Sequence, residues 1–119
     1  MMLFDKRESG VEIQKINKRT VRISVDAIED LKDIWEYVSQ YNENSANKLI
    51  KEIKNKFVLL RDNPLIGREQ NDLLVGLRSY VVKKYFIFYS PFSDGINISR
   101  ILHSSRDVES IFENFFDSL

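Results

Sequence analysis

The spacing of apolar residues changes along this chain, and each spacing predicts a kind of element. Between Thr20 and Val25 every second residue is apolar, which indicates a strand with one buried face. Two stretches with helical spacing follow, to about Tyr41 and to Asn63, and the polar run Asn42–Ser45 separates them. Two helices joined by a short loop predict an antiparallel hairpin. Their apolar positions are Ala27, Leu31, Ile34, Trp35 and Val38, and then Ala46, Leu49, Ile50, Ile53, Phe57 and Leu60.

The ends of these helices carry their own signals. Ser24 and Asp26 are both candidate N-caps of the first helix, and Asp26 forms a capping-box pattern with Glu29 three residues later. The charged residues of this helix, including Asp30, fall mostly opposite the apolar stripe, so we expect them to face solvent. The second helix should end before Pro64, because proline disfavours the helical conformation in the residue that precedes it.

From residue 76 onward the chain is rich in β-branched and aromatic residues, a composition typical of strands. We predict three strands, over Leu77–Val82, Tyr85–Tyr89 and Ile96–His103, with a turn at Lys83–Lys84 after the first. The middle strand is apolar on both faces, which predicts a central place in the sheet.

Two irregularities accompany the predicted strands. The apolar alternation of the last strand changes phase after Ile98, which indicates either a bulge near Ser99 and Arg100 or partial cover on both faces. The stretch Leu65–Leu74 is predicted to be a loop, in which Gly67 is free to take a positive φ.

A wide apolar stripe near the end of the chain predicts a short final helix. Ser105 or Asp107 would cap it, and its aromatic residues include Phe112, Phe115 and Phe116.

The first residues of the chain show no such regularity. Residues 1–19 have no sustained period, so we expect a poorly ordered extension or a short extra strand at Val11–Ile13. Residues 20–119 should form one domain, because this length is sufficient for a single core.

Composition excludes several classes of protein. The chain has 119 residues, no cysteine and one histidine, which excludes a disulfide framework and a thiolate or multi-histidine metal site. Its apolar runs are far shorter than the roughly 20 residues of a spanning helix, and acidic residues interrupt any apolar leader, so we expect a cytoplasmic protein without membrane contact. No glycine-rich phosphate loop is present, so we expect no cofactor.

The net charge is zero, but the charges are segregated. Acids outnumber Lys and Arg six to two over residues 21–47, whereas Lys and Arg outnumber acids nine to four over residues 48–90. Proteins that grip a nucleic-acid backbone usually carry a basic excess overall. At most one basic face is therefore available here, made from the second helix and the strand after it.

Few polar side chains could form a catalytic site on the predicted sheet. Arg78 and Tyr85 open two strands, and His103 and Arg106 close the last, so antiparallel pairing could bring them together. For RNA cleavage, His103 could act as acid or base, and Arg78 or Arg106 could stabilise charge on the phosphoryl group. No carboxylate base is evident nearby except Glu69 in the loop.

Each of these residues also has a structural interpretation. A single histidine at a strand end is more often a hydrogen-bonded structural residue than a catalyst. Arg106 and Asp107 can form an ion pair and a helix cap, and Tyr85 can belong to the core. Arg78 lies beside apolar residues and must reach solvent or find a partner.

Short motifs also recur in a fixed order along the chain. They are Ser24–Ala27, Asp30–Leu31, Ile34–Tyr37, Pro64, Gly67–Arg68, Gly76–Arg78, Tyr85, Ile87, Tyr89, Ile101–His103 and Arg106–Asp107. In this order and spacing, from about Val21 to Phe116, the chain resembles the RelE/ParE family of bacterial toxins, and its ParE branch in particular. The resemblance implies an α+β fold in which an N-terminal strand and an antiparallel helical hairpin pack on a twisted antiparallel sheet, with a short C-terminal helix.

The resemblance also implies a function. ParE-like proteins are toxins of type II toxin-antitoxin systems, linked to plasmid stabilisation, which inhibit DNA gyrase by binding and are neutralised by a cognate antitoxin. RelE-like members instead cut messenger RNA on the ribosome, with basic residues and a tyrosine or a His/Tyr pair. Here Ser104 follows His103 where a tyrosine would be needed. We therefore rank a gyrase-binding toxin first, an endoribonuclease with Arg78, His103 and Arg106 as catalytic residues second, and an inactive member third.

The partners predicted from this resemblance are an antitoxin and DNA gyrase, with the ribosome and messenger RNA as the alternative. A homodimer or a toxin-antitoxin hetero-oligomer is compatible with either target. The candidate contact residues are Trp35, Arg68, Arg78, Tyr85, His103, Arg106, Phe112, Phe115 and Phe116.

Overall fold

A computed structural model describes residues 19–117, and for residues 115–117 the backbone alone. Five strands and three helices follow one another in this range: β1 (Thr20–Ile23), α1 (Val25–Ser39), α2 (Glu43–Asp62), β2 (Arg68–Glu69), β3 (Arg78–Val82), β4 (Tyr85–Phe92), β5 (Gly95–His103) and α3 (Val108–Asp117). The fold is therefore α+β, as predicted. The extra strand proposed at Val11–Ile13 lies outside the described residues.

Side-chain caps define the two helices of the hairpin. Ser24, one of the two predicted caps, has an extended backbone, and its side chain accepts a hydrogen bond from the Ala27 N–H at 3.0 Å. Asn42 caps α2 in the same way through the Ser45 N–H at 2.9 Å. The second helix ends at Asp62, just before the Asn63–Pro64 pair that was expected to stop it.

The five strands form one sheet in the order β1-β5-β4-β3-β2. β4 is central, as its two apolar faces predicted, and its pairs with β3 and β5 are antiparallel. β1 pairs with β5 in parallel, so the sheet is mixed where a wholly antiparallel one was expected. A parallel pair requires a long crossover connection, and here the helical hairpin together with β2–β4 connects the two strands.

Of the two explanations offered for the phase change in the last strand, the structure shows the bulge. Phe88 of β4 pairs with Arg100 of β5, and the next residue, Tyr89, pairs with Ile98, so Ser99 is an additional residue on β5. Because the insertion shifts the alternation by one position, Ile98 and Ile101 both join the core on the hairpin side.

Two apolar clusters cover opposite faces of the sheet, because successive residues of β4 point in opposite directions. The larger cluster packs the hairpin on the sheet, and its buried members are Ala27, Leu31, Ile34, Ile53, Phe57, Leu60, Val82, Ile87, Tyr89, Ile96, Ile98 and Ile101. The smaller lies under α3 and consists of Leu77, Phe88, Leu102 and Phe112. The sheet is thus buried on both sides near its centre.

Two differences from the expected elements concern the region between α2 and β3. The predicted loop contains β2, a two-residue strand in which Arg68 pairs with Ser79 and Glu69 with Arg78. A strand this short has no alternation to detect. Gly67 does not use a positive φ; the residue that does is Gly76, with φ of 85°.

None of the helices within residues 19–117 has both the length and the apolar character needed to cross a membrane.

Candidate functional site

Three of the predicted site residues lie together at one end of the sheet. Tyr85 at the start of β4 pairs with His103 at the end of β5, and their rings meet edge to face with centroids 5.2 Å apart. Arg106 follows in the next turn and lines the same cleft, of about 360 Å³. α1 closes the other side of the cleft through Asp33 and Tyr37.

The His103 ring is held in one orientation by the turn that follows it. Its Nδ1 atom accepts a hydrogen bond from the Ser105 N–H at 3.0 Å and lies 2.8 Å from the Ser105 hydroxyl. In the neutral ring this contact puts the proton on Nε2. The Arg106 N–H closes this turn by donating to the His103 carbonyl at 3.0 Å. The Asp107 side chain accepts from the Ser110 N–H at 3.2 Å, which identifies Asp107, and not Ser105, as the cap of α3.

The Tyr85 hydroxyl contributes to the chemistry of this cleft. Burial, and to a lesser extent the neighbouring Tyr37, raises the pKa of Tyr85 above its ordinary value of 10.0. Near neutral pH Tyr85 is therefore a protonated hydrogen-bond donor. Together with the Nε2–H of His103 and the guanidinium of Arg106, the cleft presents donors to an anionic or carbonyl-bearing ligand.

Arg78 does not join this group. It pairs with Tyr89, four residues along β4 from Tyr85, which places it about 13 Å from the cleft end of the sheet. Its guanidinium donates to the carbonyl oxygens of Leu65 at 3.1 Å and Gly67 at 2.8 Å, and it lies 3.3 Å from a carboxylate oxygen of Glu69. The proposed combination of His103 with Arg78, and with Glu69 as base, is therefore not assembled.

Tyr89 explains the glycine at position 67. Its buried hydroxyl donates to the Pro64 carbonyl at 2.7 Å and accepts from the Gly67 N–H at 2.9 Å. A Cβ atom on residue 67 would overlap the Tyr89 ring and hydroxyl. The glycine is required for space beside an aromatic ring, and not for the positive φ that was expected.

Sequence reasoning missed one ion pair. Asp30, expected to face solvent, is buried, and its carboxylate accepts two hydrogen bonds from Arg100, at 2.8 and 2.9 Å, and one from the Ile101 N–H at 2.9 Å. The hydrogen bond with Asp30 raises the pKa of Arg100 above its ordinary value. The helix pattern gave no sign of this pair, because the partner of Asp30 lies 70 residues later at the bulge of β5.

The remaining contact candidates take different positions. Trp35 donates its indole N–H to Asn47 at 2.8 Å and so links α1 to α2. Phe112 is buried, with its ring 5.2 Å from that of Phe88, and Arg68 is exposed on β2. The side chains of Phe115 and Phe116 lie outside the described part of the structure.

A larger cavity of about 560 Å³ lies between the β1–β5 edge of the sheet and α3. Arg22 lines it and lies 4.2 Å from the centre of the Phe92 ring. The other lining residues include Asn97, Ser99, Ile111, Phe112 and Asn114. In the part of the chain that the structure describes, no group of three or more His, Cys, Asp or Glu residues could hold a metal ion.

Comparison with known proteins agrees with the arrangement of these elements. The family model for the ParE toxin of the type II toxin-antitoxin system parDE matches residues 21–108. The chain belongs to the ParE toxin family. The likeness that the ordered motifs indicated is thereby confirmed, and the matched residues run from β1 to the first residue of α3.

A solved structure has the same fold as this ParE-family chain. It comes from the chromosomal ParDE TA system from P. aeruginosa and has 21% sequence identity with a TM-score of 0.62. The match covers 71% of this chain and 95% of that chain. Among curated proteins the comparison finds no match.

Proposed function

We propose that this ParE-family toxin inhibits DNA gyrase by binding to it and is neutralised by a cognate antitoxin. Membership of the ParE toxin family supports the toxin assignment. The observation that carries the choice of binding over cleavage is Ser104, which follows His103 where the RNA-cleaving relatives are expected to have a tyrosine. The separation of Arg78 from His103 also removes one of the two candidate cations from that centre.

Several features of the cleft are consistent with this proposal. His103 is oriented by its own turn through Ser105, and Tyr85 contacts it as a ring-to-ring neighbour. A contact surface of fixed donors and aromatic edges suits recognition of a protein, because immobile groups lose little entropy on binding. The segregated charges of the chain also leave no overall basic excess for an RNA backbone.

The proposal is tested with the purified protein in two assays. We expect inhibition of gyrase-catalysed supercoiling at stoichiometric concentration, and no cleavage of messenger RNA on translating ribosomes. Supercoiling that proceeds normally at a large excess of the protein would contradict the gyrase assignment.

Neutralisation by an antitoxin is tested by co-expression. The probe is the product of the reading frame adjoining this gene. We expect it to restore growth, to form a complex that survives gel filtration, and to abolish gyrase inhibition. The same experiment gives the stoichiometry, so it separates a homodimer from a toxin-antitoxin hetero-oligomer. If this product binds the toxin completely but leaves its toxicity unchanged, the product is not the antitoxin.

RNA cleavage remains the second candidate, because one observation favours it. His103, Arg106 and Tyr85 share a cleft with the carboxylate of Asp33, so an acid or base and a cation are present together without Arg78. Ribosome-dependent cleavage that disappears in both His103→Ala and Arg106→Ala, and persists in Arg68→Ala, would replace gyrase binding with this activity.

A further inference from the structure

Two large apolar side chains project from the loop between α2 and β2. Leu65 is 70% exposed and Ile66 is 50% exposed, and they are adjacent in the chain. Single exposed apolar residues are common on protein surfaces and need no explanation. This pair differs because of how the loop beneath it, Pro64–Gly67, is held.

Two side chains of the sheet fix the backbone of the Pro64–Gly67 loop. The buried Tyr89 hydroxyl bonds the Pro64 carbonyl and the Gly67 N–H, at 2.7 and 2.9 Å. The Arg78 guanidinium bonds the carbonyls of Leu65 and Gly67, at 3.1 and 2.8 Å. The loop is thus tied to β3 and β4 on both sides of its two apolar side chains.

This anchoring has a consequence for binding. Exposed loops are usually more mobile than the helices and strands that they connect. A mobile apolar side chain loses this freedom when a partner covers it, and the loss weakens binding. Here the backbone is already held in the free protein, so burial of Leu65 and Ile66 in a partner would cost only the ordering of two side chains. Rigid apolar groups that project from a surface are typical of the anchors that enter a preformed pocket.

The charges next to the loop do not favour a partner of either sign. Arg61 and Arg68 flank it along the chain, and so do Asp62, Glu69 and Asp72. Two of these acids are paired, Asp62 with Arg61 and Glu69 with Arg78. The shape of the apolar pair therefore selects the partner. An unfolded segment would need a groove to lie in, whereas this projection needs a pocket that exists before binding.

We propose that the Pro64–Gly67 loop inserts Leu65 and Ile66 into a preformed apolar pocket on the folded protein that the toxin inhibits. This inference rests on the proposed function, in which the toxin acts by binding a protein target. Tyr89 and Arg78 are positioning residues, because they act through the loop backbone and do not touch the partner.

The first experiment removes the apolar pair. The double variant Leu65→Ser, Ile66→Ser is compared with Val75→Ser, Val81→Ser, whose side chains are 87% and 58% exposed and lie outside the loop. We expect the loop variant to lose growth arrest on induction and to need at least about tenfold more protein to inhibit supercoiling. The control variant should match the wild type in growth arrest and in inhibition of supercoiling. Circular dichroism and thermal midpoints establish that both variants fold.

The second experiment tests the anchoring. Tyr89→Phe removes both hydroxyl contacts to the loop and keeps the ring. We expect it to weaken target inhibition about tenfold in the wild-type background and to have no further effect in the Leu65→Ser, Ile66→Ser background. A purely structural role of Tyr89 would instead weaken inhibition equally in both backgrounds.

The outcomes separate this inference from the gyrase assignment. If the wild-type protein arrests growth but does not inhibit gyrase, gyrase is not the target. The loop variant can then still be compared with the wild type by growth arrest. If the loop variant still arrests growth like the wild type, the inference is wrong. It is equally overturned if the variant stays toxic but escapes neutralisation by the product of the adjoining reading frame, since the loop would then bind the antitoxin.

Discussion

At the scale of single residues, Asp30 shows why helix patterning can mislead. The residue lies on the flank of the α1 apolar stripe, where a carboxylate ordinarily faces water, but it is only 8% exposed. Burial is tolerated because three donors from the β5 bulge, two from Arg100 and one from the Ile101 N–H, satisfy its oxygens. The Asp30–Arg100 pair therefore joins α1 to the bulge of β5.

Removal of this charge should be costly. Asp30→Asn keeps the shape of the side chain but leaves the Arg100 guanidinium without its counter-charge, so we expect the free energy of unfolding to fall by about 3 kcal/mol. Urea denaturation measures the change. Asp62→Asn is the matched control, because its partner Arg61 is a neighbour at the surface and the expected loss is below about 1 kcal/mol. Equal losses in the two variants would contradict a special role for Asp30.

Two of the predicted contact residues make contacts within the chain. Trp35 was expected to meet a partner protein, and it holds α1 to α2 through Asn47. Phe112 was expected to meet a partner as well, and it packs on Phe88 in the smaller core. Aromatic residues satisfy both roles by the same chemistry, so their pattern in a sequence does not distinguish a core from an interface.

At the scale of elements, the Pro64–Gly67 loop depends on β4. Its backbone groups bond to Tyr89 and Arg78, so a segment without secondary structure of its own gains a fixed conformation from the sheet. Proline and glycine marked this stretch as a loop, but neither could show that it is rigid, because the bonding partners lie 11 to 25 residues away.

The titration of Tyr89 reports the burial of the hydroxyl that holds this loop. Burial raises the pKa of Tyr89 above its ordinary value of 10.0, although the Gly67 N–H and the charge of Arg78 act in the opposite direction. The folded state holds the proton more tightly than the unfolded chain, so the stabilisation is complete below pH 10 and is lost as the pH rises above it.

We therefore expect alkaline pH to destabilise the wild type more than Tyr89→Phe. Above pH 10 the free energy of unfolding should fall more steeply with pH in the wild type than in Tyr89→Phe, by at most about 1.4 kcal/mol per pH unit. Urea denaturation at a series of pH values from 8 to 11 measures this difference, and the comparison with Tyr89→Phe isolates this one ionisation. Parallel slopes would mean that Tyr89 ionises as freely in the folded protein as in the unfolded chain.

At the scale of the whole molecule, the sheet separates two cores of unequal size. The hairpin core binds β3, β4 and β5 to both long helices, whereas the core on the other face is completed by α3 through Phe112 and its neighbours Val108 and Ile111. Between residues 19 and 114, every buried apolar side chain belongs to the stretch from Ala27 to Phe112.

This distribution predicts that the domain folds without its first residues. A chain that begins at Arg19 keeps β1, whose Thr20 N–H bonds the Asp94 carbonyl at 2.7 Å, and it keeps both cores. We expect its free energy of unfolding to lie within about 1 kcal/mol of that of the full chain in urea denaturation. A drop of more than about 2 kcal/mol, or loss of a cooperative transition, would show that residues 1–18 belong to the domain.

Local patterns in the sequence were sufficient for β1, β3, β4 and β5, for the hairpin and for the central place of β4, and they gave the bulge at Ser99 as one of two alternatives. Each of these follows from apolar period, capping or chain-breaking residues within a few positions, and such local preferences act before distant parts of the chain meet. The ordered motifs likewise identified the family, since their spacing records the fold as a whole.

Long-range contacts decided the rest. The parallel pairing of β1, the burial of Asp30 against Arg100 and the rigidity of the Pro64–Gly67 loop all join residues far apart in the chain. So does the separation of Arg78 from His103, which depends on the register of β3, β4 and β5. Periodicity describes which face a side chain occupies, but register and crossover direction set its neighbours, and those neighbours determine what the site can do.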